Sequence, residues 1–265
     1  VSPNPNTIIA AENYDAPLSS VMAAGIVPAI IGLVALIFII LPMLPDKGFS
    51  DMKDAEGTSA RTDLPSFTAS ITGPLVAVLL MVLRPLFGIA IDPAIALPVG
   101  GLAGVIATRK WKNTGESLSY GLEKMSSIAV LLVGTGTIAG VIKASAVKDL
   151  LISLISGWDG GAALIAPVSS ILMSAASAST TAGATIASAS FAQTVLAAGV
   201  NAVWAAAMTN AGATVLDHLP HGSFFHATGG SIGMELKERL RLIPYESLIG
   251  LVLVSMTVVM MLIIN

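Results

Sequence analysis

The chain has no cysteine, which excludes disulfide frameworks, zinc–thiolate sites and thiol nucleophiles at the outset. Charge is scarce as well. Asp, Glu, Lys and Arg make up 11% of its 265 residues, where an ordinary soluble domain carries about 25%. A net charge of −3 offers no basic surface, so nucleic acid is not an expected partner. Histidine occurs three times, and no His-Glu-x-x-His motif is present. The opening VSPNPNTIIAAENYD has neither the basic segment nor the apolar segment of a secretory signal. It begins with Val1, and it reads as a piece starting inside a larger protein.

What is abundant is apolar sequence, 54% of the residues, with a mean hydropathy of +0.85. This composition predicts an all-α membrane protein that crosses the bilayer several times. At about 20 residues per span, the length allows roughly six to eight embedded segments. Residues 1–17 are too rich in Pro and Asn for one continuous helix, because Pro3 and Pro5 remove backbone donors. Two readings stand for them, a disordered terminus or the remnant of a broken helix. Leu18 to Leu44 is a near-unbroken apolar run, and residues 45–65 form the most polar stretch, a solvent loop between two halves. Spans follow at Ser66–Ile91, Ala94–Thr108 and, interrupted by Gly134, Gly136 and Gly140, Met125–Ile142. Arg84 reads as an arginine snorkelling to the headgroups. Residues 109–124 predict a polar loop with an interfacial amphipathic helix, and Ala144–Ser156 a short interfacial helix. Met234–Ser247 is an amphipathic connection, and residues 248–264 are the final span.

The second half, residues 66–265, contains two unusual pieces. SAASASTTAGATIASAS (Ser174 to Ser190) is uncharged and almost wholly Ala, Gly, Ser and Thr. TNAGATVLDHLPHGSFFH (Thr209 to His226) holds every histidine and a single carboxylate, Asp217. The apolar flanks of the first piece, Ala162–Met173 and Ile186–Val200, are each too short for a hydrocarbon core of about 30 Å. Residues 162–200 therefore predict a re-entrant hairpin turning at Ser177 to Gly183. One long small-residue packing helix is the alternative. Residues 201–228 predict a helix broken at Asn210-Ala-Gly and again near Leu219-Pro-His-Gly. With a hairpin at this place, the three basic loops (Lys47, Lys53, Arg61; Arg109, Lys110, Lys112, Lys124; Lys237, Arg239, Arg241) fall on one side of the membrane. Positive charge on the cytoplasmic side is the expected arrangement, and a full crossing would put the third loop outside.

The order of LLVGTGTIAGVIKASAVKDLL, SASASTTAGATIASASF and GATVLDHLPHGSFFHATGGSIGMELKERLRLIPYES resembles the C-terminal half of the gluconate permease family, part of the wider ion transporter superfamily. The resemblance covers roughly residues 60–265. It implies an inverted-repeat fold with most of the first repeat missing, and residues 1–44 ending that repeat. It also implies a homodimer in the bacterial inner membrane and elevator-like, proton-coupled uptake of gluconate or a related short hydroxy-carboxylate. Na⁺-coupled carboxylate symport or ion/proton antiport in the same superfamily is the alternative. Where the family pattern would read His-x-Asn-Asp-Ser-Gly-Phe-Trp, this chain has His218-Leu-Pro-His-Gly-Ser-Phe-Phe, a departure that bears on the substrate.

A small carboxylate needs donors without a large fixed charge. The hydroxyls of Ser177, Ser179, Thr180 and Thr181, with Asn210 and Thr214 opposite, meet that need, and Gly183 and Gly212 would let backbone approach the solute. Hydroxyls in membrane helices also bond their own preceding carbonyls, which is the plainer role for them. Asp217, His218 and His221 are the proton-coupling candidates, because an ionised Asp at membrane depth must be paired or wet and His titrates near neutrality. A helix-capping Asp–His is the structural alternative. A metal-dependent intramembrane hydrolase using His218 and His221 with Asp217 and His226 is a remote alternative, since no Glu lies beside these histidines and Pro220 interrupts a regular helical face; a channel and an inactive scaffold are others. No resident cofactor or metal is expected, only a coupling ion.

Overall fold

A computed structural model describes residues 3–44, 65–87, 89, 91–146, 149–150, 153 and 161–264. The loop of residues 45–64, most of the short helix expected at Ala144–Ser156 and the side chain of Arg84 lie outside the described residues. The chain divides into two compact units, residues 1–56 with 132–265 and residues 57–131.

The smaller unit contains α3 (Phe67–Phe87), α4 (Pro93–Thr108) and the first part of α5 (Thr114–Ala144). Asp92 starts α4 by accepting the Ala94 amide at 2.7 Å, and Arg109, at φ +57°, ends it. Small residues let α3 and α4 pack backbone to backbone. A Cβ on Gly100 would lie 2.7 Å from Ala77 Cβ and 2.8 Å from the Gly73 carbonyl. α5 departs from expectation. In place of an interfacial helix at 109–124 and a separate span, one 31-residue helix runs from Thr114 through Gly134, Gly136 and Gly140. Glycine lowers helix propensity by only about 1 kcal/mol, and no proline in this stretch removes a backbone donor.

In the larger unit residues Pro5–Asn13 form a helix, α1, where the sequence leaves a disordered terminus or a broken-helix remnant open. Asn4 Oδ1 accepts from the Thr7 amide at 2.9 Å, and Pro5 occupies the first turn, where its missing N–H costs nothing. Asp15 at φ +52° and Pro17 stop the helix. α2 then runs over Leu18–Met43, with a π-helical stretch at Leu36–Ile40. The hairpin is α6 (Gly161–Ser177) and α7 (Thr180–Ala197), which pack along each other. These arms have 17 and 18 residues, longer than the apolar flanks suggested, because the Ala/Ser/Thr residues on both sides of the break are themselves helical. α8 (Ala202–Gly212), α9 (Ser223–Ser231) and α10 (Leu236–Ile264) complete the chain. The amphipathic connection expected at Met234–Ser247 is instead continuous with the last span in α10, passing through Pro244.

Among the described residues two helices are long and apolar enough to cross a membrane, Leu18–Met43 and Leu236–Ile264. The core of the larger unit joins α1, α6, α7 and α8, with Tyr14, Phe191, Val195 and Met208 at its centre.

Candidate functional site

The site is built where backbone leaves the helix. At the hairpin turn only Ala178 and Ser179 are non-helical, with Ala178 at φ +44°. Ser179 Oγ accepts from the Ala182 amide at 3.3 Å and so caps α7. Thr180 and Thr181 stand in the first turn of α7. Neither hydroxyl turns back to its own helix: Thr181 Oγ1 donates to Asn6 Oδ1 of α1 at 2.6 Å, and Thr180 Oγ1 to Asp217 Oδ2 at 2.5 Å.

Asp217 lies in the second non-helical segment, Ala213 to Gly222, which follows the end of α8 at Gly212. Its other oxygen, Oδ1, is 3.2 Å from His218 Nδ1. The imidazole of His218 is 2% exposed, and its Nε2 lies 3.0 Å from Ser247 Oγ and 3.2 Å from the Ile243 carbonyl, both on α10. A chain of polar contacts thus runs from the hairpin turn through Thr180, Asp217 and His218 to α10. The carboxylate of Asp217 sits at the N-terminus of α7, where unpaired amides and the helix dipole favour negative charge.

Asn6 and Asn4 also line a cavity of about 230 Å³ together with Asn210, Thr214 and Thr257; Val21, Pro28, Ala207 and Leu253 supply its apolar wall. No charged residue lines it.

The other sequence candidates fall as follows. Ser177 Oγ donates to the Met173 carbonyl at 2.8 Å, an intrahelical bond. Thr214 Oγ1 donates to the Ala211 carbonyl at 2.8 Å while its residue borders the cavity with Asn210. Gly183 and Gly212 do not face a cavity. A Cβ on Gly183 would meet Ser174 at 2.6 Å, and one on Gly212 would meet Ser170 Oγ at 2.1 Å, so both seat helix against helix. His221 is exposed and stands apart from the Asp217–His218 contact, and His226 Nε2 lies 2.8 Å from the Pro220 carbonyl. Among the described residues no three His, Asp or Glu side chains come together as a metal site would require.

Sequence reasoning missed α1 and α10. Asn6 reaches Thr181, Asn13 Nδ2 donates to Ser188 Oγ at 2.8 Å, and the Tyr14 hydroxyl pairs with Thr209 Oγ1 at 3.0 Å. Their signal was present: three asparagines in thirteen residues, at a spacing that faces a hydroxyl-rich helix.

Comparison with known proteins adds two findings. Residues 68–158 match the Na⁺-H⁺ antiporter family. An "uncharacterized transporter" of Haemophilus influenzae is 50% identical over 254 residues, covering 96% of this chain. The chain spans 60% of that relative's length. No solved structure matches. The antiporter match covers α3 to α5, so the polar cluster described above lies outside it. Neither finding names the gluconate permeases. What both support is the coarser part of the sequence resemblance, similarity to transporters.

Proposed function

We propose that this chain forms the core of a secondary active transporter of the ion/proton antiporter type, with Asp217 and His218 as its proton-carrying pair. The observation that carries the reading is the chain of contacts Thr180–Asp217–His218, with His218 buried and Asp217 and Thr180 partly so, placed where two non-helical segments meet. Non-helical backbone at membrane depth is tolerated where it lines a cavity or a solute path. The match to the Na⁺-H⁺ antiporter family over residues 68–158 and the identity to a Haemophilus transporter support it. So does the electrostatics. Asp217 already sets a carboxylate against Thr180 in the first turn of α7, so the site attracts a cation or a proton more readily than a carboxylate.

In this reading α6 and α7 are a re-entrant hairpin in a multi-pass protein of the bacterial inner membrane. The elevator-like movement and the dimer implied by the sequence resemblance belong to the same proposal, and the protein works as a transporter rather than an enzyme. The test is a reconstitution. In proteoliposomes enclosing a pH dye, a pulse of external Na⁺ should drive proton movement, and Asp217→Asn should abolish it. Wild-type vesicles whose internal pH ignores Na⁺ would overturn the antiport reading.

A second reading, uptake of a small hydroxy-carboxylate such as gluconate, is favoured by one observation. The cavity of about 230 Å³ is uncharged and amide-lined, far larger than the roughly 30 Å³ share of a single water. Proton entry on addition of gluconate, with no response to Na⁺, would select it.

A further inference from the structure

His218 presents a chemical puzzle that Ser247 answers. One ring nitrogen, Nδ1, faces the carboxylate of Asp217 at 3.2 Å; the other, Nε2, faces the Ile243 carbonyl at 3.2 Å and the Ser247 hydroxyl at 3.0 Å. A carbonyl can only accept, whereas a hydroxyl both donates and accepts. With His218 protonated, Nε2–H donates toward Ile243 O or Ser247 Oγ, and the Ser247 hydroxyl can turn its own proton onto the Ile243 carbonyl four residues back in α10. With His218 neutral and its one proton on Nδ1 facing Asp217, the Nε2 lone pair needs a donor. Of the two groups at Nε2, Ser247 alone can supply it.

We infer that Ser247 is the positioning residue that lets a fully buried His218 exist in both protonation states, by reversing the direction of its hydrogen bond. The inference rests on the proposed proton-carrying role of the pair and adds α10 to the coupling device. With the shared proton on the Asp217 carboxyl instead, Nδ1 accepts and Nε2 keeps its hydrogen; Ser247 then only accepts, and an unchanged midpoint in the test below is the mark of that case. Described charged and titratable groups on the neighbouring helices have partners of their own. From α7 the contact to Asp217 is the uncharged Thr180. On α10 Glu246 is held by Arg239 at 2.8 Å, and on α9 His226 lies against the Pro220 carbonyl. Ser247 therefore stands out as the group that distinguishes the two states of Nε2.

Ser247→Ala removes the donor to the neutral ring and leaves its lone pair facing a carbonyl, so the proton is held more tightly. The ¹⁵N imidazole signals of the labelled protein in nanodiscs report this directly, with His218→Asn identifying the signal of interest. In Ser247→Ala the His218 titration midpoint should rise by about one pH unit, a roughly tenfold tighter proton, the worth of one hydrogen bond. Ser247→Thr should restore the wild-type midpoint. Should Ser247→Ala fail to fold, Ser247→Cys, a weaker donor, should move the midpoint the same way by less. An unchanged midpoint in the folded variant, or a His218 signal that does not titrate in the wild type, overturns the inference. The pH profile of Na⁺-driven proton flux separates the two layers. A profile that moves with the imidazole supports both. An imidazole midpoint that moves while the profile stays fixed keeps Ser247 in its role and overturns proton carriage by the pair.

Discussion

Two helix pairs in this molecule are made from the same small residues and do different work. In α3–α4, Gly73, Ala77, Gly100 and Gly104 bring backbones together, and the hydroxyls stay at home: Thr72 donates to the Thr68 carbonyl and Thr108 to the Gly104 carbonyl, each at 2.8 Å. In α6–α7, Gly183 against Ser174 gives an equally close approach. Ser169, Ser170, Ser174 and Ser177 likewise bond their own helix. Thr180 and Thr181, however, reach Asp217 and Asn6 on other elements, and Ser188 accepts from Asn13. Small-residue content therefore reports close packing in both pairs. In the proposed reading, the site is marked by hydroxyls that leave their own helix for a polar partner elsewhere.

The strongest test of that contrast is at the carboxylate. Asp217→Asn should lower Na⁺-driven proton flux by about a hundredfold or more, the scale of a lost acid–base group. Thr72→Val and Thr108→Val should leave it within about twofold, as substitutions away from special features do. Equal losses in both pairs would break the distinction.

Next in size come the glycines, where the two pairs should behave alike. Gly183→Ala forces a methyl against neighbouring helix atoms, as Gly100→Ala does in the other pair and Gly212→Ala does where α8 meets α6. Each should destabilise by about 1–3 kcal/mol through overpacking, seen as a lower unfolding temperature in detergent. Gly101→Ala, with nothing within 4 Å of the added carbon, should be neutral or stabilising by up to about 1 kcal/mol. The smallest expected effect separates hydroxyls within the hairpin. Thr180→Val and Thr181→Val should each cost about 1 kcal/mol for a lost inter-element bond. Ser177→Ala should cost less than about 0.5 kcal/mol, because its bond is to its own helix.

These distinctions also show what could be read from the sequence. The hairpin break was legible because the apolar flanks of the Ala/Ser/Thr run are each too short to cross a bilayer, and the helices do part inside the window of Ser177 to Gly183, at Ala178 and Ser179. Asp217 and His218 were legible because charge and imidazole are rare in this chain. Gly183 and Gly212 were assigned to the solute because a glycine announces a close approach without naming what approaches. Asn6 and Ser247 escaped for a different reason. Each acquires meaning only from a partner far along the chain, 175 residues away for Asn6 and Thr181 and 29 for Ser247 and His218.

The first of those separations has a consequence in time. Asn6 and Asn13 are each joined to residues of α7 that lie 175 positions later. At about 5–20 residues per second, the ribosome delivers those partners roughly 9–35 s after α1 has been made. Throughout that interval two asparagine side chains have no hydroxyl to meet, and hydrocarbon would leave their amides unsatisfied at several kcal/mol each. In the proposed membrane setting, α1 therefore waits in water or at the headgroups until α7 has been made. It cannot take its place beside α7 before then, so α1 is seated later than its early position in the chain suggests.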